Sequence, residues 1–317
     1  MDIAYSINEK YVNYCLVSIC SLLKNNKASL VRIHILYDDL SADAISRITH
    51  FTTKRGGEIQ FHKIDDSAVA GLILQHWPKS AWYRIFLPTI LDKEIHRVLY
   101  LDSDTVVSGP ISDLFEIDMS DKSLAGCLDI ITLQDEVFSR LNYPRDKGYI
   151  CSGVLLMNLD YFRANNLSKS ILDFARSNSD ILVHPDQDAI NYVCRNSKML
   201  LPLKYETMDS YFRNEQFVAA NKKDFAGMIE DPRIIHYAGC PPWFIETNTH
   251  IYSNLFWHYA SEVGGVKLLH FSKGITILKN IVKFGLGKMG VNRYSAHCKI
   301  KLKRFVRHHG ITLKETK

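Results

Sequence analysis

Two hydrophobic spacings alternate through the first 65 residues. Asp2 to Ser6 reads as a short strand, and Tyr11 to Lys24 places Val12, Cys15, Leu16, Ile19, Leu22 and Leu23 at helical spacing. Val31 to Tyr37 is a near-continuous apolar strand. Ser41 to Lys54 opens on a serine N-cap and reads as a helix, and Glu58 to Ile64 alternates as a strand after the Gly56-Gly57 turn. Strand, helix, strand, helix, strand argues for right-handed parallel crossovers in an α/β sheet. Ligands of such sheets lie beyond the carboxyl ends of the strands, which directs attention to Ser6–Lys10, Tyr37–Asp39 and Ile64–Asp66. Further on, the pattern predicts a helix over Ser80–Leu91 and strands over Arg97–Leu101, Leu124–Leu128 and Gly153–Asn158. Helices follow over Ser168–Ser177 and Asp186–Cys194, and a last short strand over Arg233–Tyr237.

Composition narrows the class. With 317 residues, 46% of them hydrophobic and 23% charged, the chain can bury a large core, which excludes disorder, collagen and a small stapled scaffold. Its charge is uneven. The stretch from Lys267 to Lys317 holds 13 of the 39 Lys and Arg but only one acidic residue, Glu315. The preceding 266 residues carry 26 basic against 33 acidic groups, a balance of −7. The change of character falls near Val263-Gly264-Gly265. Beyond it, Ile277-Leu278-Lys279-Asn280-Ile281-Val282-Lys283-Phe284 has amphipathic spacing with a cationic face, which fits an anionic membrane surface. A C-terminal helix packed on the body with a solvated basic face is the plainer alternative. Nucleic acid is less favoured, because no aromatic stacking array accompanies the charge. The opening residues lack a basic stretch followed by an apolar one, and no apolar run approaches the roughly 18 to 20 residues of a bilayer span. The expectation is a cytoplasmic protein lying peripherally on the inner membrane face. Seven scattered cysteines, Cys15, Cys20, Cys127, Cys151, Cys194, Cys240 and Cys298, fit reduced thiols.

The sharpest chemical feature is Val98-Leu99-Tyr100-Leu101-Asp102-Ser103-Asp104-Thr105-Val106-Val107. An apolar strand is followed by two carboxylates that the pleat places on one side, where they can hold a divalent cation and leave sites for phosphate oxygens. A solvated turn is the bland reading of a lone Asp-x-Asp. Haloacid-dehalogenase-like phosphatases carry this form with the first Asp as nucleophile. There, however, it normally sits near the chain start, whereas here a βαβαβ unit precedes it and no Gly-Asp-x-x-x-Asp follows.

Further segments converge on nucleotide-sugar transfer: Asp2-Ile3-Ala4-Tyr5, Trp82-Tyr83-Arg84-Ile85, Tyr100 to Asp104, Gly126-Cys127-Leu128-Asp129, Ser152-Gly153-Val154-Leu155-Leu156-Met157-Asn158-Leu159, Asp186-Gln187-Asp188 and His236-Tyr237-Ala238-Gly239. In this order the chain resembles the family 8 retaining glycosyltransferases, which include bacterial lipopolysaccharide galactosyl- and glucosyltransferases and glycogenin. The likeness runs from Met1 to about Trp257. It implies a GT-A type fold, a Rossmann-like mixed sheet flanked by helices. Residues 1–265 would form the nucleotide-sugar-binding catalytic domain and 266–317 the basic helical tail.

The resemblance also implies roles. Asp102, Asp104 and His236 look like ligands of Mn²⁺ (or Mg²⁺) on the diphosphate of a UDP-sugar, and an imidazole suits Mn²⁺ better. Ser6, Ile7, Asn8, Lys10 and Tyr11 map to the loop that takes uracil and ribose. Arg84 matches an arginine that reaches the donor, and Ser103 and Gly239 fall among the donor contacts. The sugar is expected near Asp129, Ser152, Gly153, Asp186, Gln187 and Asp188, with Gln187 nearest the anomeric carbon and Asp188 the candidate carboxylate. Asp186 could cap the helix while Gln187 and Asp188 project into the site. The implied reaction moves galactose or glucose to a hydroxyl of a glycan or lipid-linked acceptor, with retention by a covalent intermediate or by same-face attack.

Three departures qualify it. Asn8 stands where an acidic residue is common, and Cys151 where Asn often precedes the small residue and Gly. The segment His236 to Trp243 reads His-Tyr-Ala-Gly-Cys-Pro-Pro-Trp, without the Lys that usually precedes Pro-Trp. Lys10 or Lys204 could substitute; otherwise a non-catalytic or altered-donor nucleotide-sugar-binding protein is the alternative.

Overall fold

The computed structural model describes residues 1–75, 77–244, 250–267 and 302–313. Ten strands lie among them: β1 (Asp2–Ser6), β2 (Arg32–Tyr37), β3 (Glu58–Lys63), β4 (Arg97–Leu101), β5 (Thr105–Val107), β6 (Leu124–Gly126), β7 (Val154–Asn158), β8 (Lys198–Leu200), β9 (Thr207–Met208) and β10 (Ile234–His236). By packing, the chain forms two compact units. One comprises 1–15, 26–103 and 110–201; the other comprises 16–25, 104–109 and 202–317. The boundary expected at 265 follows composition, whereas these units follow contacts.

The first unit holds a seven-stranded sheet in the order β3-β2-β1-β4-β7-β6-β8. Strands β3, β2, β1 and β4 run parallel, β7 is antiparallel to both β4 and β6, and β8 returns parallel to β6. This is the expected α/β class with a mixed sheet. Both faces of its centre are covered, so β1, β4 and β7 are near-continuous apolar runs: Ile3, Ala4 and Tyr5, Val98 to Leu101, and Val154 to Met157 are all buried. Helix Ala42–Thr53 crosses from β2 to β3. Ser41 caps it, its Oγ accepting from the Ala44 N–H at 3.1 Å, and Ala44, Ile48 and Thr52 are its buried residues. Glu9 fixes the cap in turn, accepting from the Ser41 hydroxyl at 2.9 Å and its N–H at 3.0 Å.

Several expected elements change in detail. Lys79–Phe86 is a 3₁₀ helix followed by a short α-helix, Leu87–Ile90, rather than one continuous helix, and Pro88 sits in the first turn of the second piece. Strand β6 stops at Gly126, two residues early, and Leu128 keeps only an isolated antiparallel bridge to Ile150. The helix expected from Asp186 begins at Pro185, where the fixed φ and missing N–H of proline suit a first helical position.

The second unit holds a three-stranded sheet in the order β5-β10-β9. Strand β10 runs antiparallel to β5, with His236 opposite Thr105, and parallel to β9, with His236 opposite Met208. Of the basic tail, residues 302–313 are described. A helix over 302–309 places the Phe305 ring 5.2 Å from Phe212 and 5.9 Å from Phe225, while Lys303, Arg304 and Arg307 are exposed. This part is a helix packed on its unit with a solvated basic face. The amphipathic run from Ile277 to Phe284 lies outside the described residues.

Candidate active site

In the first unit a buried polar network forms where β4 ends. Arg84, carried by the 3₁₀ helix Lys79–Phe86, is only 4% exposed, so it is no surface ion pair. Its guanidinium lies 4.2 Å from the Tyr100 ring centroid. Nε donates to the Ala81 carbonyl at 2.9 Å, Nη1 to the Ser152 carbonyl, and Nη2 to Asp102 Oδ1 at 3.0 Å. The Tyr100 hydroxyl donates to the same Asp102 oxygen at 2.7 Å, and Asp186 Oδ2 lies 3.5 Å from Arg84 Nε. Burial works against the charge of Arg84, but Asp102, Tyr100 and Asp186 outweigh it and raise its pKa. Burial raises the Asp186 pKa from its ordinary value, opposed by Arg84 and reinforced by repulsion from Asp102.

Asp102 is tied to the sheet by its own N–H, which donates to the Gly153 carbonyl at 2.8 Å. Ser103 beside it is buried. The loop after β1 is bent by Asn8, whose side chain accepts from the Lys10 N–H at 3.1 Å, and Ile7 N–H is anchored on the Leu36 carbonyl. Ser6 and Ile7 are buried, while Lys10 and Tyr11 stand exposed at its tip.

The triplet at the start of helix Pro185–Cys194 divides its work. Gln187 Oε1 accepts from the Ser152 N–H at 2.8 Å, and its Nε2 donates to Asp129 Oδ2 at 3.0 Å. Asp129 Oδ1 meanwhile caps the 3₁₀ turn Ile130–Leu133 through the Ile131 N–H. Asp186 Oδ2 accepts from the Ser152 hydroxyl at 3.2 Å. The cap expected of Asp186 is made by Asp188 instead. The Asp188 carboxylate, fully buried, turns back to accept from the Val183 and His184 N–H groups at 2.8 and 3.0 Å. It also accepts from the Tyr149 hydroxyl at 2.6 Å and from two nitrogens of Arg140 at 2.9 and 3.4 Å. Asp188, not Asp186, therefore closes the helix start, because residues two apart on a helix face different neighbours.

In the second unit, pairing of β10 with β5 sets His236 beside Asp104. His236 Nε2 lies 3.3 Å from Asp104 Oδ1, and its Nδ1 lies 2.9 Å from Glu206 Oε1. Two atoms about 2.1 Å from one octahedral ion lie roughly 3 Å apart, so the first pair is spaced for shared coordination. Asp102 belongs to the first unit, and Asp104 opens the 104–109 segment of the second. Gly239 turns the chain after β10 with φ +69°, a conformation that favours glycine. Cys240 follows. Its thiol donates to Asp209 Oδ2 at 3.5 Å, and Arg213, ion-paired with Asp209, reaches the sulfur at 3.8 Å. Arg213 is thus the cation beside the segment that lacks Lys. Lys204, one expected substitute, lies 3.8 Å from Asp231. Arg140, Glu206 and Arg213 carry no local motif, and sequence reasoning did not single them out.

The sheet is parallel-dominant, and an Asp-x-Asp follows its central strand β4. The Glycosyl transferase family 8 model matches residues 2–246, and the chain belongs to that family. A lipopolysaccharide 1,2-glucosyltransferase from Escherichia coli is 29% identical over 248 residues, covering 76% of this chain and 73% of the relative. A lipopolysaccharide 1,3-galactosyltransferase from Salmonella typhimurium is 23% identical, covering 76% and 72%. Among solved structures, the galactosyltransferase LgtC, in complex with donor and acceptor sugar analogs, superposes with a TM-score of 0.74 at 22% identity, over 84% of this chain and 97% of LgtC. The fold is GT-A, as expected, and the chain is a glycosyltransferase.

Proposed function

We propose that the protein is a retaining hexosyltransferase that moves galactose or glucose from a UDP-sugar to a hydroxyl of a growing glycan, in lipopolysaccharide or other cell-surface glycan synthesis. The observation that carries this reading is the buried network of Arg84, Asp102, Asp186, Ser152, Gln187 and Asp129. It gathers carboxylates and amide oxygens beside one fixed cation at the carboxyl end of a central strand. The names of the relatives support the hexose and the acceptor class.

In this reading Asp102, Asp104 and His236 would hold Mn²⁺ (or Mg²⁺), which would supply positive charge for the leaving diphosphate. Ser6, Ile7, Asn8, Lys10 and Tyr11 take the uridine, and Ser103 and Gly239 border the diphosphate. Arg84 orients Asp102 and stands behind the sugar. Ser152, Gly153, Asp186 and Asp129 bond the hexose hydroxyls, and Gln187 places its amide against the anomeric centre, where positive charge develops. Five hydrogen bonds make Asp188 a poor nucleophile, which supports same-face attack over a covalent intermediate through that residue. Arg213, although ion-paired with Asp209, lies against Cys240 and is the candidate to replace the charge which that segment lacks, in support of turnover over a binding-only role.

The basic C-terminal stretch would bring the site to an anionic leaflet carrying a lipid-linked acceptor. Among the described residues, no helix is long and apolar enough to cross a membrane. A cytoplasmic, membrane-peripheral site of action, without nucleic acid, completes the proposal.

Thermal unfolding tests the donor class. A UDP-hexose with Mn²⁺ raises the midpoint by mass action, whereas GDP- and ADP-sugars do not, and chelation removes the shift. Equal shifts with every nucleotide, or none, would overturn the donor assignment.

A further inference from the structure

Glu206 is fully buried at the start of β9, an expensive place for a carboxylate without a matched partner. Its backbone N–H closes the preceding 3₁₀ turn on the Leu203 carbonyl at 3.1 Å. Because β9 pairs with β10, the side chain is held against the His236 ring, with Oε1 2.9 Å from Nδ1. That contact holds the ring through Nδ1 and turns Nε2 to the other side, where it lies 3.3 Å from Asp104 Oδ1.

We propose that Glu206 is the positioning residue for the metal ligand His236. It fixes the ring plane through Nδ1, so that Nε2 is the ring nitrogen turned to the cation shared with Asp104. This rests on the metal role proposed above for Asp102, Asp104 and His236. Outer carboxylates of this kind typically contribute ten- to hundredfold to metal affinity.

Two measurements on the full chain separate this inference from the reading beneath it. In the first, Mn²⁺ is titrated and the free ion followed by electron paramagnetic resonance. Binding by the wild type that is lost in His236→Ala upholds the metal reading; no binding by the wild type overturns that reading and this inference with it. Given binding, Glu206→Gln weakens it roughly ten- to hundredfold, whereas unchanged affinity overturns the role of Glu206 alone. The second needs no variant at position 206 to fold. The imidazole ¹⁵N spectrum of the metal-free wild type, with His236 assigned by difference from His236→Ala, shows a proton on Nδ1. An Nδ1 that carries no proton overturns the proposal.

Discussion

Arg84→Ala removes both activity and a large part of the stability of the first unit. The guanidinium is the common partner of Asp102, Asp186 and the Ser152 carbonyl, and its plane covers the Tyr100 ring. Truncation leaves the buried Asp186 and the part-exposed Asp102 without their counter-charge, a situation that costs about 2–4 kcal/mol once the solvent at Asp102 is allowed for. Denaturant unfolding should show a loss of that size. Transfer should fall by a further factor of roughly 10²–10³ at temperatures where the variant is folded, because Asp102 is no longer held in place. Arg84→Lys separates the two effects. An ammonium restores the charge and much of the stability, but it cannot engage Asp102, Ser152 and Ala81 together, so activity stays low. Wild-type activity in Arg84→Lys would show that charge alone suffices.

The second large effect is a contrast between neighbours. Asp188→Asn strips the charge from a carboxylate that holds Arg140, Tyr149 and two helix-start N–H groups, and it should destabilise the protein by about 3–5 kcal/mol. Its remaining activity should follow the fraction folded. Gln187→Ala breaks bonds to Ser152 and Asp129 and costs about 1–3 kcal/mol, yet it should lower kcat by roughly 10²–10³ in fully folded protein. Melting curves and kcat measured on the same preparations decide it. An Asp188→Asn protein that melts like the wild type but is inactive would return the chemistry to that carboxylate.

These assignments show what local pattern carries. Strands β1, β4 and β7 were legible because a strand buried on both faces must be nearly apolar throughout. The Ser41 cap and the Asp-x-Asp at the end of β4 were legible because their meaning depends on immediate neighbours. Strands β5, β8 and β9, of two or three residues, were not, although the equally short β6 and β10 were. Local pattern also hid the partners in the site. Asp188 meets Arg140 across 48 residues and His236 meets Glu206 across 30, pairings that only the fold creates. The sequence could place Asp186, Gln187 and Asp188 together at a helix start. It could not say which would face Ser152 and which would turn back on the helix, because that depends on where Arg84 and Arg140 arrive.

Hexose transfer itself, with the configuration of the product read, tests the account most directly. Purified protein, Mn²⁺, labelled UDP-galactose or UDP-glucose and a truncated lipopolysaccharide core should give a product whose new bond keeps the α-configuration of the donor in its proton spectrum. The reaction should stop on chelation and in Asp102→Asn. Full transfer by Asp102→Asn, or a product of inverted configuration, would contradict it.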